Sequence, residues 1–232
     1  MGWSPFGALL VITLVTDPAV AQTRPVVIAI LPFEDRGSYG QDKEVFRALA
    51  LGIPATLARE LGGHSELSLA DRNRVAQALQ SQALGPNARL DAATAAKIGK
   101  DAGARYAVTG SFADFYGKFR LDARIVDTEN GQILKVVSNN DPKLQDRADL
   151  YRIIQMVAHR VLAETISAPQ RNANADAETN VVPAEALTQY SLGLLYEGEG
   201  DKAKAAEHYQ RALTAFPNYR DAQQGAQRVR QP

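Results

Sequence analysis

The chain has 232 residues, with 26 basic and 26 acidic side chains, three histidines, no cysteine and 45% hydrophobic residues. The lack of cysteine excludes a disulfide framework, a thiol nucleophile, cysteine-ligated metals and a lipid anchor on an amino-terminal cysteine; a formal charge of zero argues against binding that neutralises many phosphates. With 22% charged residues, most of the chain can bury a core, and its length allows one medium domain plus a small unit, or two small domains.

Residues 1–21, MGWSPFGALLVITLVTDPAVA, read as a signal peptide. The apolar run 6–15 has the length of a signal core and is too short to cross a bilayer. Asp17 and Pro18 break it, and Ala19-Val20-Ala21 forms a small-x-small site that places cleavage between Ala21 and Gln22. No Lys or Arg precedes the run, so either the true start lies upstream of Met1 or the amino group alone supplies the positive end. The expectation is export to the periplasm as a protein without a lipid anchor.

Residues 22–168 read as one α/β domain. VVIAILPF at 26–33 is a buried strand ended by Pro32. Residues 43–61 carry Val45, Phe46, Leu49, Ile53, Leu57 and Leu61 at helical spacing; Pro54 is expected to kink this helix or to start one. A short strand follows at 66–70. Asp71 and Asp91 are candidate caps for helices at 72–82 and 92–101, since a carboxylate at that position accepts the free amides of the first turn. Strands at 106–115 and 118–127 form a hairpin around Tyr116-Gly117. Asn130-Gly131 is the strongest short turn signal, leading to a returning strand at 132–138. Residues 146–165 form a long amphipathic helix. The order gives an α/β (α+β) fold: a mixed sheet with helices, containing an antiparallel meander of three strands.

Residues 169–184 read as a linker, and helical signals resume at 185–232. Within that tail, Leu192, Gly193, Tyr196, Ala205, Tyr209, Ala212 and Pro217 fall at the positions of a tetratricopeptide unit counted from Ala186, with Gln189 where the early tryptophan usually stands. The tail therefore resembles one tetratricopeptide hairpin with a capping helix after Pro217. Small Gly193 and Ala205 would let two helices approach, Tyr196 and Tyr209 would fill the space between them, and Pro217 would stop the second. A lone repeat cannot bury its own faces, so it must pack on the first domain, another subunit or a partner.

No catalytic constellation is present: no nucleophile elbow, phosphate loop, dinucleotide fingerprint or His-Glu-x-x-His. His64, His159 and His208 are scattered through three elements and read as surface residues. Glu34 and Asp35 follow the first strand, where α/β proteins place sites, but they lack a second base nearby and read as a solvated loop. Tyr116 and Phe119 beside Lys118 and Arg120 could stack on a base, although packing is the commoner use of such residues. No catalytic, cofactor-binding or metal-binding residues are assigned.

Leu31-Pro32-Phe33, Gly103, Tyr106, Val108, Gly110-Ser111, the strand 121–126, Asp127, Gly131 and Gln132-Ile133-Leu134 resemble the curli-secretion (CsgG-type) and TolB-like amino-terminal domain superfamily over residues 26–165. The resemblance implies a periplasmic or outer-membrane-associated α/β protein. The channel-forming members begin from a lipidated cysteine and carry long membrane hairpins. Here no cysteine is present, and the connections 115–119 and 139–146 are too short for such hairpins. The expectation is a non-enzymatic protein-interaction or assembly protein of an envelope or secretion complex of the curli type. It would be a possible homo-oligomer, bind protein partners and no nucleic acid, and form no pore by itself. The alternative is a cytoplasmic TolB-like and tetratricopeptide regulatory module.

Overall fold

The structure is a computed structural model that describes residues 24–40, 42–84, 89–139, 145–166 and 181–231. The expected signal peptide, its Ala21/Gln22 junction and most of the expected linker lie outside the described residues.

β1 (Val26–Asp35) lies between two parallel neighbours, β2 (Leu67–Leu69) and β3 (Tyr106–Phe115). β3 pairs antiparallel with β4 (Lys118–Asp127), and β4 pairs with β5 (Ile133–Ser138) through its second half and with β6 (Gln145–Asp146) at its start. The order β2-β1-β3-β4-β5 makes a mixed sheet with the expected three-stranded meander. β1 does not end at Pro32. The register against β3 shifts between Ile30 and Phe33 and the strand continues to Asp35. Proline has no amide to give the ladder, and a local irregularity absorbs it. Its free carbonyl accepts the Thr109 hydroxyl at 2.7 Å.

Helices cover both faces of the sheet. α1 (Lys43–Leu61) and α4 (Leu150–Thr165) bury Leu49, Ile53, Leu57, Ile154, Val157 and Val161 against Ile28, Val108, Leu121 and Ile125. α2 (Arg72–Ser81) and α3 (Ala92–Asp101) bury Val75, Ala95 and Ile98 against Ala29, Leu31, Ala107 and Val126 on the other face. Val126 therefore belongs to a second core. α1 runs unbroken through Pro54, which starts no helix. Both aspartate caps form: Asp71 Oδ1 accepts from the amides of Asn73 and Arg74 at 3.0 Å each, and Asp91 Oδ1 from Thr94 at 2.7 Å. α4 begins later than its periodicity suggests. Asp146 is drawn into the sheet opposite Lys118, and a 3-10 turn, Arg147–Asp149, precedes the helix.

The two β-turns reverse the expected order of tightness. Tyr116 and Gly117 both have positive φ, +53° and +85°, as a two-residue hairpin requires. At the β4–β5 connection only Gly131 does, at +72°. There Asp127 accepts from the amide of Glu129 at 2.8 Å and stabilises a longer loop, so Asn130 need not become left-handed.

Three further helices complete the chain: α5 (Ala184–Gly198), α6 (Lys202–Ala215) and α7 (Arg220–Arg230). α5 packs on α1 at close range. A Cβ on Gly52 would stand 1.8 Å from Ser191 Oγ. Tyr209 of α6 fills the centre of the three-helix unit, lying between Gly193 and Gly225, where added Cβ atoms would meet its ring at 2.4 and 2.5 Å. One apolar cluster runs from Ile28 in the sheet through α1 to Val229 in α7. The helical tail thus packs in cis, on α1.

Candidate protein-docking surface

Where β1 and β3 end, two acidic side chains shape the surface. Asp35 Oδ1 accepts from the Ser38 amide at 2.9 Å and from its hydroxyl at 2.6 Å, which turns the chain back toward β3. The Tyr39 amide then donates to Asp114 O at 2.8 Å, and Ser38 Oγ accepts from the Asp114 amide at 2.9 Å. The Asp114 side chain is 1% exposed. Its Oδ1 accepts from the Gly117 amide at 2.6 Å, and its Oδ2 lies 2.9 Å from an Arg147 guanidinium nitrogen. The Arg147 amide donates to Gly117 O at 2.7 Å. One buried carboxylate therefore ties together the loop 36–40, the turn at 116–117 and the turn before α4. A charge in that position is tolerated because it is paired and hydrogen-bonded.

This framework presents three rings. Tyr39 lies with its centroid 5.7 Å from Phe115 and 6.0 Å from Tyr116. Tyr39 is 57% exposed and Tyr116 is 84% exposed. The turn position held by Tyr116 ordinarily takes Asn, Asp or Gly. A bulky residue in the left-handed region costs roughly 1–2 kcal/mol, and a ring this exposed recovers little of that by burial. Tyrosine is also one of the residue types that dominate binding energy at protein interfaces.

Of the two aromatics named at this hairpin, Phe119 packs and Tyr116 is exposed. Phe119 is buried and stacked on Phe112 at 5.7 Å, as antiparallel alternation puts successive side chains on opposite faces. Lys118 pairs with Asp146 at 3.2 Å and Arg120 with Asp122 at 2.8 Å. The true neighbour of Tyr116 is Tyr39, brought in from far along the chain by the Asp35 turn. A second exposed apolar strip lies on β5, the last strand of the sheet, where Ile133, Leu134 and Val136 face solvent.

The remaining candidates have structural surroundings. Asp35 shapes the loop, and Glu34 lies 3.2 Å from Arg36 and 3.7 Å from Arg89. His159 is exposed, and the His64 carbonyl accepts from Leu67 at 3.2 Å. His208 sits 2.8 Å from Gln189 Oε1 and stacks on Tyr196 at 5.2 Å; burial and the nearby Arg211 hold its pKa below the ordinary value. No group of three His, Cys, Asp or Glu residues able to hold a metal occurs among the described residues.

Of the positions read as tetratricopeptide-like, Gly193, Ala205, Tyr209 and Ala212 are buried within the helical unit. Leu192 instead turns toward Ala48 and Leu51 of α1. Tyr196 of α5 is half-buried at the edge of the contact with α6, stacked on His208 with Lys204 Nζ 4.8 Å above its ring, and its hydroxyl reaches Glu44 of α1. Pro217 is exposed two residues beyond the end of α6.

No protein-family model and no curated protein matches the sequence. Among solved structures, the chain is similar to the LpoB C-terminal domain from Escherichia coli, at 20% identity over 52% of this chain and 84% of that one, with a TM-score of 0.39. It is also similar to E. coli LpoB solved by NMR, at 19% identity over 50% and 56% with a TM-score of 0.41. TolB from Acinetobacter baumannii matches at 19% identity over 64% of this chain and 30% of that one, with a TM-score of 0.39.

Proposed function

We propose that the protein is a non-enzymatic binding protein of the cell envelope that docks a partner protein through the tip formed by Tyr39, Phe115 and Tyr116. The observation that carries this reading is Tyr116, a large ring held exposed at a backbone angle that penalises it. The Asp35 and Asp114 hydrogen bonds organise the tip in advance, which lowers the ordering cost of binding. Export with cleavage between Ala21 and Gln22 completes the reading. Residues 22–168 act as the docking unit and residues 185–232 as a tetratricopeptide-like hairpin carried on α1. Placement at an outer-membrane secretion complex of the curli type rests on the sequence resemblance alone.

Two measurements test it. The amino-terminal residue of the natively expressed protein is expected to be Gln22; an intact Met1 contradicts export. Affinity capture from envelope extracts is expected to recover a protein with the wild type that Tyr116→Asn fails to recover at equal expression; identical recovery contradicts the docking tip.

A further inference from the structure

β5 ends the strand order β2-β1-β3-β4-β5, and no described strand pairs with its outer side. In an antiparallel ladder alternate residues turn their backbone groups to the same neighbour. The Asn139 amide donates to Leu121 O of β4 at 3.1 Å. In that register Val137 stands opposite Ala123 and Lys135 opposite Ile125. Lys135, Val137 and Asn139 therefore turn their amides and carbonyls to β4, while Val136 and Ser138 turn theirs outward. Arg160 of α4 donates to Ser138 O. The N–H and C=O of Val136 are left as the open pair at the middle of the edge.

The side chains here are apolar as well: Ile133, Leu134 and Val136 are 44%, 46% and 53% exposed. Natural sheets usually block such an edge with charge, proline or a bulge. In β5 the register irregularity lies at Leu134 and leaves 135–138 regular. Lys135 is the only charged residue of the strand, and its Nζ is turned to the α4 side, 3.7 Å from Glu164.

We propose that β5 pairs antiparallel with β5 of a second copy of this chain, about a two-fold axis through Val136. The strand is complementary to itself in this register. The two Val136 residues exchange both backbone hydrogen bonds, Lys135 falls opposite Val137 of the second copy, and Leu134 opposite Ser138. An axis through Lys135 would instead set like charges face to face, which destabilises a pair. The axis is normal to the sheet, so α4 of both copies lies on the same face of the joined sheet. Lys135 and Glu164 of each copy then flank Glu164 and Lys135 of the other, an alternating set of charges. The opposite edge does not match: β2 has three residues and β5 has six. Head-to-tail growth is therefore disfavoured and the assembly closes as a dimer. The two aromatic tips point in opposite directions and both stay free. The dimer does not depend on the docking reading.

Sedimentation velocity of the full chain over a broad concentration range tests it, with a reversible monomer–dimer equilibrium as the expected result. Val136→Lys places two ammonium groups face to face at the axis. It is expected to weaken dimerisation at least tenfold with the circular dichroism spectrum unchanged, because the side chain is half exposed. Lys135→Glu and Glu164→Lys are each expected to weaken the dimer, and their equimolar mixture, with opposite charges across the axis, to restore it. A monomer at every concentration, which would leave the edge to a strand of another protein, overturns the proposal. So does a dimer insensitive to Val136→Lys, or a mixture no more dimeric than the single variants.

Discussion

Tyr116 concentrates the conflict between stability and use in one side chain. Replacing it with Asn, which tolerates the left-handed region, relieves strain without breaking the Gly117–Asp114 hydrogen bond. Tyr116→Asn is expected to raise stability by about 1 kcal/mol, seen as a higher urea midpoint at unchanged slope, while it loses the partner. A lower midpoint would mean that the ring stabilises the fold. Asp127 makes the opposite kind of contribution. Arg105 holds it by two hydrogen bonds, at 2.5 and 2.8 Å. Those bonds lower its pKa from 3.8 to about 2. A depressed carboxyl pKa adds stability that is present above the unfolded value and lost as pH falls through the folded one. The urea midpoints of wild type and Arg105→Ala are therefore expected to differ at pH 6 and to converge between pH 4 and 2; a constant gap contradicts this. Local acids of this kind were legible in the sequence, as Asp71 and Asp91 show. The tip was not, because Tyr39 and Tyr116 meet only through a turn closed by Asp35 and Ser38, and no spacing along the chain encodes that meeting.

Among the elements, α5, α6 and α7 depend on close approach around a single ring. Gly193→Ala and Gly225→Ala each drive a Cβ into Tyr209 and are expected to destabilise by about 1–3 kcal/mol. Gly198→Ala, at a helical site with nothing within 4 Å, is expected to be neutral or to stabilise by up to about 1 kcal/mol. Chemical denaturation of the three variants separates packing from propensity; a loss at Gly198 equal to the other two contradicts the close-approach account. The internal jobs of Gly193 and Tyr209 could be read from helical spacing. That Leu192 faces α1 could not, because its partners Ala48 and Leu51 belong to a distant helix, and neither could the Gly52–Ser191 contact. Turn strength also misled at this scale. Asn130-Gly131 carries the better local signal, yet the Asp127 side chain supports a longer loop there, and the two-residue turn falls at Tyr116-Gly117.

For the whole molecule, the shared apolar cluster decides behaviour. Because the core runs without a break from the sheet through α1 to α7, the described chain is expected to unfold in one transition, with far-UV circular dichroism and tyrosine fluorescence coinciding. Two separated transitions would mean that the tail folds on its own. A rigid body of this kind fixes the aromatic tip relative to the rest of the molecule, as a docking protein needs. The most direct test places a photo-crosslinking residue at position 39 or 116, and at the exposed Lys97 of α3 as a control, in the natively expressed protein. Crosslinks to one protein from positions 39 and 116 and none from position 97 are the expected result; the same adducts from all three positions, or none from the tip, would contradict docking through Tyr39 and Tyr116.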